Sequence, residues 1–126
     1  MHEEPVLPVP DDEHAQIAAG TFRMLSDPTR VKILWAVFQQ EASVNTLAQR
    51  VGAAPAAVSQ HLAKLRLAGL VRTRREGTFI YYSATDAHVH RLLAESLSHA
   101  EHIRGVATGT DAHRYRSADP LSSTSR

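Results

Sequence analysis

SVNTLAQRVGAAPAAVSQHLAKLRLAGLVRTRREGTFIYYSA, residues 43–84, is the stretch on which the fold turns. Ser43 is a good N-cap, Val44, Leu47, Ala48 and Val51 follow at helical spacing, and Gly52 is a C-terminal stop. Only GAAP separates this helix from a second one running from Pro55 to about Ala68, with Val58, Leu62, Leu65 and Leu67 apolar and Gly69 closing it. Two short helices joined by a glycine-containing turn are the signature of a helix-turn-helix. LVRTRR and TFIYYSA then read as two short strands rich in Val, Ile, Phe and Tyr, joined at Glu76-Gly77 as in a hairpin.

Upstream of this stretch, SDPTR (26–30) ends one helix and starts another, because Ser26 or Asp27 can cap and Pro28 sits where its missing N–H costs nothing. Val31, Ile33, Leu34, Trp35, Val37 and Phe38 make that helix apolar over most of its circumference, as the central core element would be. An earlier helix starts from Asp11 or Asp12 and carries Ile17, Phe22, Met24 and Leu25. Downstream, Thr85 or Asp86 caps a final helix that runs to about Arg104. The expected fold is mainly α with a small β-hairpin, a winged helix-turn-helix with flanking helices for dimerisation. Residues 1–10, with Pro5, Pro8 and Pro10, read as a disordered arm, 11–104 as the single DNA-binding and dimerisation domain, and 105–126 as a flexible polar tail.

Composition narrows the chemistry. Among 126 residues there is no cysteine, which excludes disulfides, thiolate nucleophiles and sulfur-rich metal sites; a metal would need nitrogen and oxygen donors. No run of about 18 apolar residues exists to span a bilayer, so a soluble, cytoplasmic chain with no membrane partner is expected. No HExxH or comparable arrangement suggests a metallohydrolase, and no enzyme is expected. The net charge of +1 conceals a division: residues 1–16 hold Glu3, Glu4, Asp11, Asp12 and Glu13 without a Lys or Arg. Residues 55–82 hold Lys64, Arg66, Arg72, Arg74 and Arg75 against Glu76 alone, a basic patch of the kind a phosphate backbone attracts.

In a winged helix-turn-helix the second helix of the pair lies in the major groove. With Val58, Leu62 and Leu65 toward the core, Ser59, Gln60, His61 and Lys64 face the groove. Gln pairs with adenine, Ser with several base edges, and Lys with guanine or phosphate. Arg72, Arg74 and Arg75 on the hairpin would reach the backbone or the minor groove of double-stranded operator DNA.

Four of the eight histidines fall within DAHVHRLLAESLSHAEH, residues 86–102. With His88 at zero on a helical wheel, His99 lies at roughly +20°, His102 at roughly −40° and His90 at about 200°. Three imidazoles share a face, but His88 and His99 are about 16 Å apart along the axis. One ion bound at about 2.1 Å cannot bridge them. Two copies of the helix packed antiparallel would close the site, the pair Asp86 and His88 of one chain meeting His99 and His102 of the other. Val89, Leu92, Leu93, Leu97, Ala100 and Ile103 offer the apolar stripe such a homodimer needs. Taken alone, a helix with several histidines is more often a soluble surface, and a pH sensor built on the same imidazoles is the other option.

The sequence resembles the ArsR/SmtB family of metal-sensing repressors. The matching strings are FRMLSDPTRVKILW, SVNTLAQRVG, AAVSQHLAKLRLAGLVRTRREGTFIYY, DAHVH and HAEH, together covering about residues 15–104. The resemblance implies a homodimer that binds a palindromic operator and releases it on binding metal. Its interhelical site, D-x-H followed by H-x-x-H, carries over to Asp86, His88, His99 and His102. The cysteines of the arsenic- and cadmium-sensing members are absent here, which points away from soft metals. VRTRREGT and SHAEH look most like the nickel/cobalt-sensing KmtR-type members, whose ligand set would promote Glu101 and His113, with Asp111 or His2 as further donors, over Asp86 and His99. Glu101 lies at roughly −140° from His88, so the two ligand sets do not share a face. The expected effector is Ni(II) or Co(II), with Zn(II) as the alternative for a four-coordinate site. A metal-independent winged-helix regulator is the competing reading.

Overall fold

A computed structural model of the chain describes residues 4–108. Five helices and one hairpin follow the order α1 (Asp12–Met24), α2 (Pro28–Gln39), α3 (Val44–Val51), α4 (Pro55–Leu67), β1 (Arg72–Glu76), β2 (Phe79–Ser83) and α5 (Ala87–Thr108). Local chemistry explains most of the boundaries. Asp11 caps α1 by accepting from His14 N, Asp27 caps α2 by accepting from Arg30 N ahead of Pro28, and Ser43 caps α3 by accepting from Thr46 N. Gly52 ends α3 at φ 73°, a left-handed conformation that costs a residue with a Cβ, and this reversal sends the chain into α4. No side chain caps α4, and Pro55 at its first turn removes one of the N–H groups that would need one.

α2 is the central element. Ile33, Leu34 and Val37 are buried against Leu47, Ala48 and Val51 of α3, Val58, Leu62 and Leu65 of α4, Val71, and Leu93 of α5. On α4 the buried set recurs every three to four residues, whereas Leu67, two residues past Leu65, falls outside it and is 90% exposed. The strands pair antiparallel with Arg74 opposite Tyr81 and Glu76 opposite Phe79. A two-residue turn, Gly77-Thr78, joins them, with positive φ at Gly77 alone, the pattern of a type II′ turn. Ala42 adds a single rung on the other edge of β2, exchanging both backbone bonds with Tyr82 at 3.1 and 2.8 Å. This rung holds the wing against the start of the helix-turn-helix, and periodicity in the sequence gives no sign of it.

Three expectations need correction. α1 contributes no buried residue: its apolar positions Ile17 and Phe22 are 64% and 57% exposed, and only Met24 and the following Leu25 reach the core. The stripe on α5 is divided, because Val89 and Leu93 are buried within this chain, while Ile103 and Val106 are exposed. α5 also continues past Arg104 to Thr108, with Gly105 buried inside it, so the first part of the segment expected to be a flexible tail is helical. His2, Asp111 and His113 lie outside the described residues.

Candidate functional site

α3 and α4 present one outward surface. Val58, Leu62 and Leu65 anchor α4 from behind, which leaves Ser59, Gln60 and Lys64 exposed in front. Asn45 and Gln49 of α3 are exposed beside an open concavity of about 520 Å³ that Gly52, Ala53 and Pro55 also line. These two amides were not singled out from the sequence. Polar residues on a short helix carry no signal until the turn places them beside the second helix.

His61 departs from the groove position expected for it. Its ring turns toward α2, where Nδ1 accepts from Arg30 Nε at 3.1 Å and Nε2 lies 3.7 Å from Asp27 Oδ2. Only 21% of its side chain is exposed. Asp27 in turn is held below the usual carboxylate range, first by the Arg30 backbone N–H that it accepts and also by the nearby His61. The two residues therefore join α4 to the start of α2.

The wing arginines divide in the same way. Arg74 donates from Nε and Nη2 to the two carboxylate oxygens of Glu41 at 3.1 and 2.9 Å, and from Nη1 to Glu76 at 3.4 Å. Its guanidinium also lies 4.8 Å from the centre of the Tyr81 ring. This bidentate pairing lowers the Glu41 pKa and raises that of Arg74. The arginine expected at the DNA is instead a brace between the wing and the loop after α2. Arg72 and Arg75 are exposed and make no ion pair among the described residues.

α5 carries the other candidate cluster. Asp86 Oδ1 accepts from the backbone N–H groups of His88 and Val89 at 2.9 and 3.2 Å, capping the helix, and lies 3.4 Å from His88 Nδ1. Asp86 and His88 are thus together, with the His88 side chain 88% exposed. His99 and His102 are exposed further along the helix, and Glu101 is partly buried. Among the described residues of one chain, no three His, Asp or Glu side chains come together as a metal site. His90 faces the other way, packed flat on Trp35 at 5.2 Å and edge-on to Phe38 at 4.7 Å, as a core residue joining α5 to α2.

The arrangement of residues 27–73, from the α2 cap to the first wing strand, matches the family described as "Bacterial regulatory protein, arsR family". Along 94% of its length the chain is 45% identical to the HTH-type transcriptional regulator KmtR of Mycobacterium tuberculosis (strain ATCC 25618 / H37Rv), covering 88% of that protein. The chain belongs to the arsR family. Two solved arsR-like folds are similar as well. The AntR antimony-specific transcriptional repressor superposes with a TM-score of 0.70 at 30% identity, over 75% of this chain and 86% of that one. The homodimeric winged helix-turn-helix domain Mb0332 of Mycobacterium bovis gives 0.61 at 31% identity, over 75% and 90%. As an arsR-family chain it is a transcriptional regulator, and its winged helix-turn-helix is the DNA-binding element. Among the described residues no helix is long and apolar enough to cross a membrane.

Proposed function

We propose that the protein is a homodimeric repressor that holds operator DNA in the metal-free state and releases it on binding Ni(II) or Co(II), with Zn(II) as the alternative effector. The observation that carries this reading is the division of donors on α5. Asp86 and His88 are adjacent at its start, His99 and His102 are exposed beyond its middle, and one chain does not unite them. Two α5 helices running antiparallel supply both halves twice, which suits a two-fold dimer. The donor set fits a metal of the nitrogen- and oxygen-preferring kind, since the cap uses Oδ1 of Asp86 and leaves its other oxygen to ligate. Bound metal would cross-link the two chains at this face.

Exposed apolar groups on α1 and on the second half of α5 support the same face as the dimer contact, and a similar domain is homodimeric. Ser59, Gln60 and Lys64 would read the major groove, with Arg72 and Arg75 on phosphates. Resemblance to the nickel/cobalt-sensing members favours those ions, with Glu101 and His113 available to expand coordination beyond four. Coupling between metal and DNA of typical size weakens operator binding about 5- to 150-fold.

The test is complementation between two variants, Asp86→Ala with His88→Ala, and His99→Ala with His102→Ala. Each alone should lose the visible absorption of bound Co(II). Mixed and refolded together they form heterodimers with one intact site each, and the absorption returns. A mixture that stays colourless would sink the shared site, while band intensity separates four-coordinate from higher-coordinate Co(II). Unchanged DNA affinity across a Ni(II), Co(II) and Zn(II) titration would favour a metal-independent regulator.

A further inference from the structure

α1 lies almost wholly outside the core, yet one side chain ties its last turn to the rest of the chain. Arg30, in the first turn of α2, donates from Nη1 to the Met24 carbonyl oxygen at 3.2 Å and lies 3.4 Å from the Met24 sulfur. The same guanidinium donates from Nε to Nδ1 of His61, in the middle of α4, at 3.1 Å. One planar group therefore touches the end of the outlying helix and the helix that carries Ser59 and Gln60. Because a guanidinium holds its N–H directions in a rigid fork, moving one acceptor re-aims the donor facing the other.

The contact also has an alternative. His61 Nδ1 accepts only when the ring is neutral with its proton on Nε2, and Nε2 faces Asp27 Oδ2 at 3.7 Å. Asp27 accepts from Arg30 N at 3.0 Å in the cap, so a carboxylate stands beside the guanidinium, ready to take it if Met24 withdraws. The result is two discrete arrangements. In one, arginine bridges α1 and α4; in the other, it pairs with Asp27 and leaves His61 unheld.

We propose that Arg30 and His61 are positioning residues that carry a displacement of α1 to the recognition helix α4. This rests on the reading of α1 as part of the face between two copies of the chain. With the bridge in place, the His61 ring is held on α2 and the rotation of α4 keeps Ser59 and Gln60 outward. A change in subunit arrangement that shifts α1 removes the Met24 acceptor, and α4 loses that hold.

The experiment uses the full chain and a duplex that the metal-free protein selects from a random-sequence pool. Amide hydrogen exchange is compared with and without that duplex at α4 and at Leu25 and Ser26, whose N–H groups close the last turn of α1. In the unaltered protein, DNA on α4 slows exchange at Leu25 and Ser26 as well. His61→Leu removes the acceptor and keeps protection on α4 while losing it at Leu25 and Ser26, and His61→Asn, whose amide oxygen can replace Nδ1, restores it. Arg30→Lys, which keeps the charge but not the fork, behaves as His61→Leu and serves if that variant melts early. No response at Leu25 and Ser26 in the unaltered protein, or an undiminished one in both variants, overturns the proposal. Anisotropy with and without Ni(II) is read in parallel: the unaltered protein loses about 5- to 150-fold in affinity and His61→Leu less than about twofold. Should the unaltered protein ignore Ni(II), the metal-responsive reading fails, and the exchange result still decides the bridge.

Discussion

Arg74 and Arg75 are neighbours in the chain and have opposite roles, set by the alternation of side chains along a strand. Arg74 is bound on both carboxylate oxygens of Glu41, whereas Arg75 is exposed. Arg75→Ala should weaken binding to every duplex alike and reduce the slope of log affinity against log salt by about 1, the signature of one lost phosphate contact. Arg74→Ala should leave that slope near its original value and lower the melting temperature, because it loosens the wing from the loop after α2. Anisotropy at several salt concentrations with parallel thermal melting separates them, and equal slopes for both variants would contradict the assignment. Glu41 adds a dependence on pH. Its folded pKa is depressed by the Arg74 hydrogen bond, so the stability it contributes is fully present above its ordinary 4.5 and is lost as pH falls through the folded value. The melting-temperature gap between the unaltered protein and Glu41→Gln should therefore be widest near neutrality and close in acid. A gap that widens in acid would reverse the sign of the argument.

At the scale of the element, α4 does two jobs with two faces. Its rear face is part of the core, where Leu62 is fully buried among α2, α3 and α5 residues. Leu62→Ala should cost about 2 to 5 kcal/mol of folding stability, read by urea unfolding. Its front face stabilises nothing within the chain, so Gln60→Ala should leave unfolding unchanged while costing about 1 to 3 kcal/mol of binding and relaxing preference at one base pair. A Gln60 variant that unfolds early, or binds all sequences less well by the same factor, would move Gln60 from reading bases to holding the helix.

For the whole molecule, the telling quantity is apolar surface left uncovered. Ile17 and Phe22 on α1, and Ile103 and Val106 on α5, are between 55% and 72% exposed. Such groups on two helices that flank the core mark an interface. Phe22→Glu combined with Ile103→Glu should convert the protein to monomer in sedimentation velocity. The domain should stay folded, because neither side chain is in the core, but DNA affinity should fall, since two half-sites are then bound independently. A variant that stays dimeric would place the contact elsewhere on the chain.

The features that could be read from the sequence were those that act over a few residues. Asp11, Asp27 and Ser43 cap helices that begin immediately after them, Gly52 ends one, Gly77 turns the hairpin, and Val58, Leu62 and Leu65 mark the buried side of α4, because caps and helical periods are short-range along the chain. From these alone followed the winged helix-turn-helix and the exposure of Ser59 and Gln60. The tertiary structure decided the partners of the charged and polar side chains. Arg74 found Glu41 across 33 residues, Arg30 found His61 across 31, and His90 was enclosed by Trp35 and Phe38. Such pairings depend on how helices pack, and a residue type in a sequence gives its charge and shape but not which distant group will stand within 3 Å of it.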